Sequence, residues 1–219
     1  MGSSWHRTEA FCRRFGLQLP ILLAPMAGAS SPELAVAVAR AGGLGACAAL
    51  LLQPAQILAW AAEVRSQTAA PFQINLWVPD PPPQRDAAHE AAIRDFLRAW
   101  GPAVPPEAAH ARPPDFAAQC AALLAAAPPI VSSVMGLYPP EFVARLKARG
   151  IAWFANVSTV AEARAAVAAG ADVIVAQGME AGGHRGCFDA TRAEAQQVGL
   201  FALLPAVVLV LLFSYVPMY

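Results

Sequence analysis

The stretch Trp153–Gly186, WFANVSTVAEARAAVAAGADVIVAQGMEAGGHRG, decides the fold. Trp153 to Val157 reads as a buried strand. Ser158 or Thr159 then offers a hydroxyl N-cap to the Ala-rich helix VAEARAAVAA, and Gly170 closes that helix. Asp172 to Ala176, DVIVA, is a second strand, followed by the glycine-rich loop Gln177 to Gly186. Two near-continuous apolar strands joined by a helix belong to a parallel sheet covered by helices.

The same rhythm extends outward in both directions. Ile21 to Ala24 (ILLA) reads as a first strand, followed by the turn PMAGASS, and Ser31-Pro32-Glu33 opens a helix that stops at Gly42-Gly43. Leu44 to Ala48 and Phe72 to Trp77 (FQINLW) are the next strands. Between them lies a helix opened by Gln53-Pro54, with Ile57, Leu58, Ala61 and Val64 on one face. Residues 78–83 (VPDPPP) form an extended linker. Helices over Ala87 to Trp100 and Asp115 to Ala126 follow, separated by a proline-rich connection, so that about fifty residues pass before the next strand, more than a simple crossover needs. Ile130 to Val134 resumes the pattern, a helix from Pro140 to Arg149 follows, and Glu194 to Val208 reads as helix at the far end.

Six strand–helix units fit either a doubly wound sheet or a (β/α)8 barrel. The ligand-like features follow strands one, three, four and six, around a ring, and no G-x-G-x-x-G follows the first strand. The expected fold is therefore an α/β protein of the (β/α)8 TIM-barrel type with about six units present and a helical insertion at about 79–128. An incomplete barrel domain is expected over 1–208 and a hydrophobic tail over 209–219.

Composition narrows the function classes. The chain has 219 residues, 57% hydrophobic and 14% charged, with 15 basic and 15 acidic side chains and zero formal net charge. That excludes a disordered chain and argues against a nucleic-acid binder, which needs a basic face. Cys12, Cys47, Cys120 and Cys187 form no C-x-x-C pair and read as reduced, buried thiols, and no metal site is expected. The N-terminus has no apolar leader, and His6 stands where a myristoylation motif wants Ser or Thr, so a cytoplasmic location is expected. Val198 to Tyr219 carries no charge and approaches the length of a membrane span, but Pro205 and Pro217 interrupt it. It is read as a helix running into an out-of-frame end, with a membrane anchor as the alternative.

The chemistry sits in the loop Gln177 to Gly186. Gly182 and Gly183 let backbone amides approach an anion, and His184 and Arg185 add donors and positive charge. Gln177 presents donor and acceptor together at a strand end. Glu180 and Arg185 are spaced to form a local ion pair.

The chain resembles the nitronate monooxygenase family, formerly called 2-nitropropane dioxygenases, which are FMN-dependent barrels. The resemblance rests on PILLAPMAGASSPELAVAVARAGGLG, on FQINLW and on GADVIVAQGMEAGGHRG, and extends from about Leu17 to about Val208. It implies FMN as cofactor, with Ala24, Pro25 and Met26 beneath the isoalloxazine ring. Asn75, Gln177, Gly182 and Gly183 are its further cofactor contacts, and His184 reaches the phosphate or the substrate pocket. It implies oxidation of alkyl nitronates by O2 to a carbonyl compound and nitrite, a small-molecule substrate and no nucleic-acid partner. His184 is the one catalytic candidate, because Val134 in the segment Ser132 to Gly136 stands where many family members carry a catalytic His. A preformed nitronate needs no base. The family pattern continues beyond Val208 through further strands and a second glycine pair, so a truncated or frame-shifted product that folds poorly and binds FMN weakly is expected. Two alternatives stand beside the leading reading. One is a flavin-dependent enoyl thioester reductase. The other is an inactive remnant with a membrane-associating tail.

Overall fold

The computed structural model describes residues 4–82 and 84–214. Its centre is a five-stranded, wholly parallel sheet in the order β1 (Gly45–Ala48), β2 (Phe72–Trp77), β3 (Ile130–Val134), β4 (Ala152–Val157), β5 (Val173–Ala176). The order is strictly consecutive, whereas a doubly wound sheet reverses direction at a switch point. Consecutive order is the topology of part of a (β/α)8 barrel, which decides between the two arrangements that the pattern allowed.

Each strand alternates between two faces, as the period of two requires. Ile74, Leu76, Val131, Trp153, Ala155 and Val157 join one core with buried residues of α2 (Pro32–Arg40), α3 (Pro54–Gln67), α5 (Phe116–Ala126), α6 (Pro140–Ala148), α7 (Val160–Ala168) and α8 (Leu200–Ser214). Trp153 is fully buried there, and its Nε1 donates to Ser133 Oγ at 3.0 Å. Arg65 closes the C-terminus of α5 by donating to the carbonyls of Ala126 (2.6 Å) and Ala127 (2.7 Å), and Arg149 donates to that of Leu124. These are carbonyls that a helix end leaves without partners.

The opposite, inner face is stoppered at the N-terminal ends of the strands. Here α1 (Ser4–Phe15), for which the sequence reading has no counterpart, sets Phe11, Cys12 and Phe15 against Leu17, Leu44, Ile130 and Phe154. The Phe15 and Phe154 rings meet edge to face with centroids 4.9 Å apart. The helix was not legible because its arginines and His6 mask a narrow apolar stripe that gains meaning only against the sheet.

Two expected elements differ. Ile21 to Ala24 is not a strand but a single parallel bridge, Leu22 to Leu44. Pro20 and Pro25 bound it, and two hydrogen bonds carry it, from Leu23 N to Leu44 O and from Leu44 N to Ile21 O. The helix expected from Glu194 begins at Leu200 instead, after a short 3-10 turn at Ala190–Arg192. Its apolar residues continue unbroken through Pro205, so periodicity could not set its start. The amphipathic α4 (Ala87–Leu97), capped by Asp86, buries none of its residues, while α5 packs on α3. No described helix is long and apolar enough to cross a membrane.

Candidate functional site

The inner face becomes polar toward the C-terminal ends of the strands. Asn75 stands opposite Ser132 in the β2–β3 register, buried to 7% exposure, and its Nδ2 donates to Ser132 Oγ at 3.1 Å. Two residues further along, Trp77 pairs with Val134, and on the neighbouring ladder Asn156 pairs with Val175. Gln73, nearer the N-terminal end, donates through Nε2 to Leu23 O at 3.3 Å and so fixes the root of the turn Ala24-Pro25-Met26. Ser30 holds the other side of that turn. Its Oγ accepts from Met26 N at 2.8 Å, and its carbonyl accepts from Trp60 Nε1 at 3.3 Å. The Met26 side chain is left 41% exposed.

The loop after β5 folds back across this end of the inner face. Gln177 shapes it with both ends of one amide. Nε2 donates to His184 O (3.0 Å) and Oε1 accepts from Gly186 N (2.6 Å). The His184 ring lies edge-on to Trp77, centroids 4.9 Å apart. Gly186 has no room for a side chain. A Cβ there would collide with Asn156 Oδ1 and lie 3.0 Å from both Gln177 Oε1 and Val134 Cγ2. Gly182 and Gly183 are exposed, with open space where a Cβ would stand, and Gly183 takes φ +77°, a conformation that glycine adopts without strain. The amides of Gly182 and Gly183 find no protein acceptor among the described residues.

Two carboxylates hold the ends of the loop. Glu180 accepts from Leu200 N through both oxygens (3.2 and 2.9 Å) and caps α8. Its own backbone N–H and that of Leu200 hold its carboxyl below the ordinary value of 4.5, with a smaller contribution from the charge of Arg185. The expected Glu180–Arg185 ion pair is therefore replaced by a helix cap, and Arg185 donates to Met179 O at 3.3 Å. Glu162, on α7, is buried to 7% exposure and reaches Phe188 N at 2.8 Å beyond the loop.

Of the residues singled out from sequence, the structure gathers Asn75, Gln177 and His184 about one end of the sheet. Ala24, Pro25 and Met26 form a separate turn whose root is tied to Gln73, nearer the N-terminal end. Gln177 is not an open donor–acceptor edge but is committed to the loop itself. Val134 faces inward beside Gly186, and Met135 beyond it takes a left-handed φ of +67°, unusual for a side-chain-bearing residue. Sequence reasoning missed Trp77, Asn156, Glu162 and Gly186. Asn156 Oδ1 is a buried oxygen without a hydrogen-bond partner, a state that ordinarily costs about 1–3 kcal/mol. Its signal was a lone polar residue at an inward register position of β4. No described group of three or more His, Cys, Asp or Glu residues is arranged to hold a metal ion. Burial pushes the Cys47 and Cys120 thiols up to about 12, away from nucleophilic use at neutral pH.

Comparison with known proteins places this geometry. The family model described as nitronate monooxygenase matches residues 9–218. The nitronate monooxygenase of Pseudomonas aeruginosa is 41% identical over 202 residues, which are 90% of this chain and 57% of that protein. The nitronate monooxygenase of Paraburkholderia phytofirmans is 40% identical over 195 residues, 86% of this chain and 52% of that one. The structure of nitroalkane oxidase from Streptomyces ansochromogenes superposes with a TM-score of 0.76 at 34% identity, covering 89% of this chain and 56% of that chain. FabK from Thermotoga maritima superposes with a TM-score of 0.65 at 26% identity, covering 92% of this chain and 50% of that one. The chain spans about half the length of the curated relatives it matches.

Proposed function

The chain belongs to the nitronate monooxygenase family, and from that membership we propose that it carries the flavin-binding end of an oxidoreductase that converts alkyl nitronates with O2 into a carbonyl compound and nitrite. The family is flavin-dependent, and the flavin proposed here is FMN. The observation that supports this most directly is the loop Gln177–Gly186 folded over a polar inner face, with the Gly182 and Gly183 amides uncommitted and open space around both residues.

The residues present fit such a group. Gly182 and Gly183 have the free amides and clearance that a phosphate needs. Asn156 Oδ1 lacks a donor, and a ligand N–H would supply one. Asn75 lies on the polar inner face, and the turn Ala24-Pro25-Met26 leaves Met26 exposed to meet an apolar ring. Gln177 contacts a ring edge only by exchanging one of its loop bonds. When bound, the flavin supplies the electron-accepting ring. The protein's part is to orient it and to exclude water from the substrate. Trp77, Val134 and Val175, on the inward end of the strands, take no proton, which favours a substrate that arrives already deprotonated. His184, against Trp77, is the titratable ring proposed to meet the nitro oxygens or the phosphate.

The test is a thermal melt with and without FMN, together with oxygen uptake on a nitronate. At a hundredfold excess over Kd, FMN is expected to add about 2.7 kcal/mol, a rise in Tm of about 5–10 °C for a chain of this size. A melt that FMN leaves unmoved counts against the reading. Oxygen uptake without NAD(P)H supports nitronate oxidation, whereas NAD(P)H oxidation with an enoyl thioester supports the reductase alternative.

A further inference from the structure

Glu162 does more than its place on α7 requires. It stands three residues after the N-cap Thr159 and completes a capping box, with Thr159 Oγ1 accepting from Glu162 N at 3.1 Å. Its Oε2 accepts from Ser158 N (2.7 Å), Ser158 Oγ (3.1 Å) and Thr159 N (3.0 Å). That satisfies the helix terminus with a single oxygen. The other oxygen, Oε1, is turned outward from the cap and accepts from Phe188 N at 2.8 Å, 26 positions along the chain. The carboxylate is buried, so both of its oxygens need donors, and it has them from two separate segments.

Phe188 follows directly on Gly186 and Cys187, both buried. On one side of this strap, Gly186 N is held by Gln177 Oε1. On the other, Phe188 N is held by Glu162. The span from Gly178 to Arg185 lies before both points and is tied to the rest of the chain by Gln177 Nε2 to His184 O (3.0 Å), Met179 N to Val198 O (2.9 Å), the Glu180 cap on α8 and the His184–Trp77 ring contact. The position of Gly186 against Asn156 and Val134 therefore depends on two clamps, and only one of them, Gln177, belongs to the loop.

We propose that Glu162 is a positioning residue that latches the strap Gly186 to Phe188, so that the N-terminus of α7 fixes where the cofactor loop is anchored at its far end. The inference rests on the FMN reading for its consequence but not for its geometry. A charge-assisted bond to one backbone amide is among the stronger single hydrogen bonds, and its loss frees the strap rather than the helix.

The experiment uses iodoacetamide on the 219-residue chain without added flavin, with alkylation of Cys187 and Cys47 mapped by mass spectrometry. Cys187 is 4% exposed in the strap and Cys47 is 1% exposed in the core, so their ratio reports strap release against global unfolding. Glu162→Asp keeps the charge but draws the carboxylate back by one methylene, away from Phe188 N and from the Ser158 and Thr159 donors, and Thr159→Ala below controls for the weakened cap. Glu162→Asp is expected to raise the ratio about tenfold, the change that loss of about 1.4 kcal/mol gives. Glu162→Gln is expected to do the same, but by itself it also removes a negative charge that, after burial, helps to hold the Cys187 thiol up. The aspartate variant separates exposure from ionisation. Thr159→Ala, which weakens the cap and leaves the latch, is expected to leave the ratio at the wild-type value. FMN titration should then show about a tenfold higher Kd for both Glu162 variants and an unchanged Kd for Thr159→Ala. An unchanged ratio in Glu162→Asp overturns the latch, and so does an equal rise in Thr159→Ala. If the wild-type chain takes up no FMN, the functional reading fails while the alkylation ratio still decides the latch.

Discussion

At the scale of single residues, the two kinds of glycine in the loop separate folding from binding. A Cβ on Gly186 meets Asn156, Gln177 and Val134, whereas one on Gly182 meets nothing within 4 Å. Gly186→Ala is therefore expected to destabilise the chain by about 1–3 kcal/mol through overpacking, read as a lower midpoint in urea. Gly182→Ala is expected to leave that midpoint within about 0.5 kcal/mol and to weaken FMN binding in a fluorescence titration. Equal stability losses in the two variants would remove the distinction. This is also the scale at which legibility in the sequence was most uneven. Gln177 and the glycine pair could be found because their order along the loop carries the signal. Asn156 could not, since the face a strand residue takes depends on pairing with β3 and β5. Glu162 was hidden differently: it reads as an ordinary capping-box glutamate, and its second bond crosses to a residue 26 positions away. For Gln177 the sequence named the residue, and the structure changed what it holds.

At the scale of elements, α8 shows how a helix can start where its own sequence does not say. Its first turn has no acidic residue, and the carboxylate that caps it comes from Glu180, 20 positions earlier. The strand–helix alternation was readable because Gly and Pro punctuate it. The start of α8 was not, because its cap is supplied from the loop. The cap makes a pH dependence with a definite sign. The folded-state pKa of Glu180 lies below its ordinary 4.5, so the folded state binds this proton less readily than the unfolded state. The contribution is fully present above the ordinary value and is lost as pH falls through the depressed one. Wild type and Glu180→Gln should thus differ in urea midpoint at pH 7, and the difference should shrink as pH falls below the ordinary 4.5. A difference that persists in acid would mean that Glu180 supports α8 by packing rather than by charge.

At the scale of the whole molecule, the polar end of the inner face and its apolar end divide function from stability. The C-terminal ends of β2 to β5 carry Asn75, Val134, Asn156 and the loop, the side on which barrels of this type place their chemistry. The N-terminal ends carry the aromatic cluster under α1. Phe15→Ala is expected to lower stability by about 3 kcal/mol and to leave the FMN Kd of the folded fraction unchanged. A comparable loss of affinity would show that the two ends are coupled. Barrel topology was legible in the strand–helix alternation and in the ligand-like features that follow several strands, but the parting of the two ends was not, because α1 declares itself only by what it covers. Its presence has a corollary for access. With Phe11, Phe15 and Phe154 closing the floor, a small molecule proposed to bind at the polar end is expected to come and go on the C-terminal side of the strands, past the glycine-rich loop.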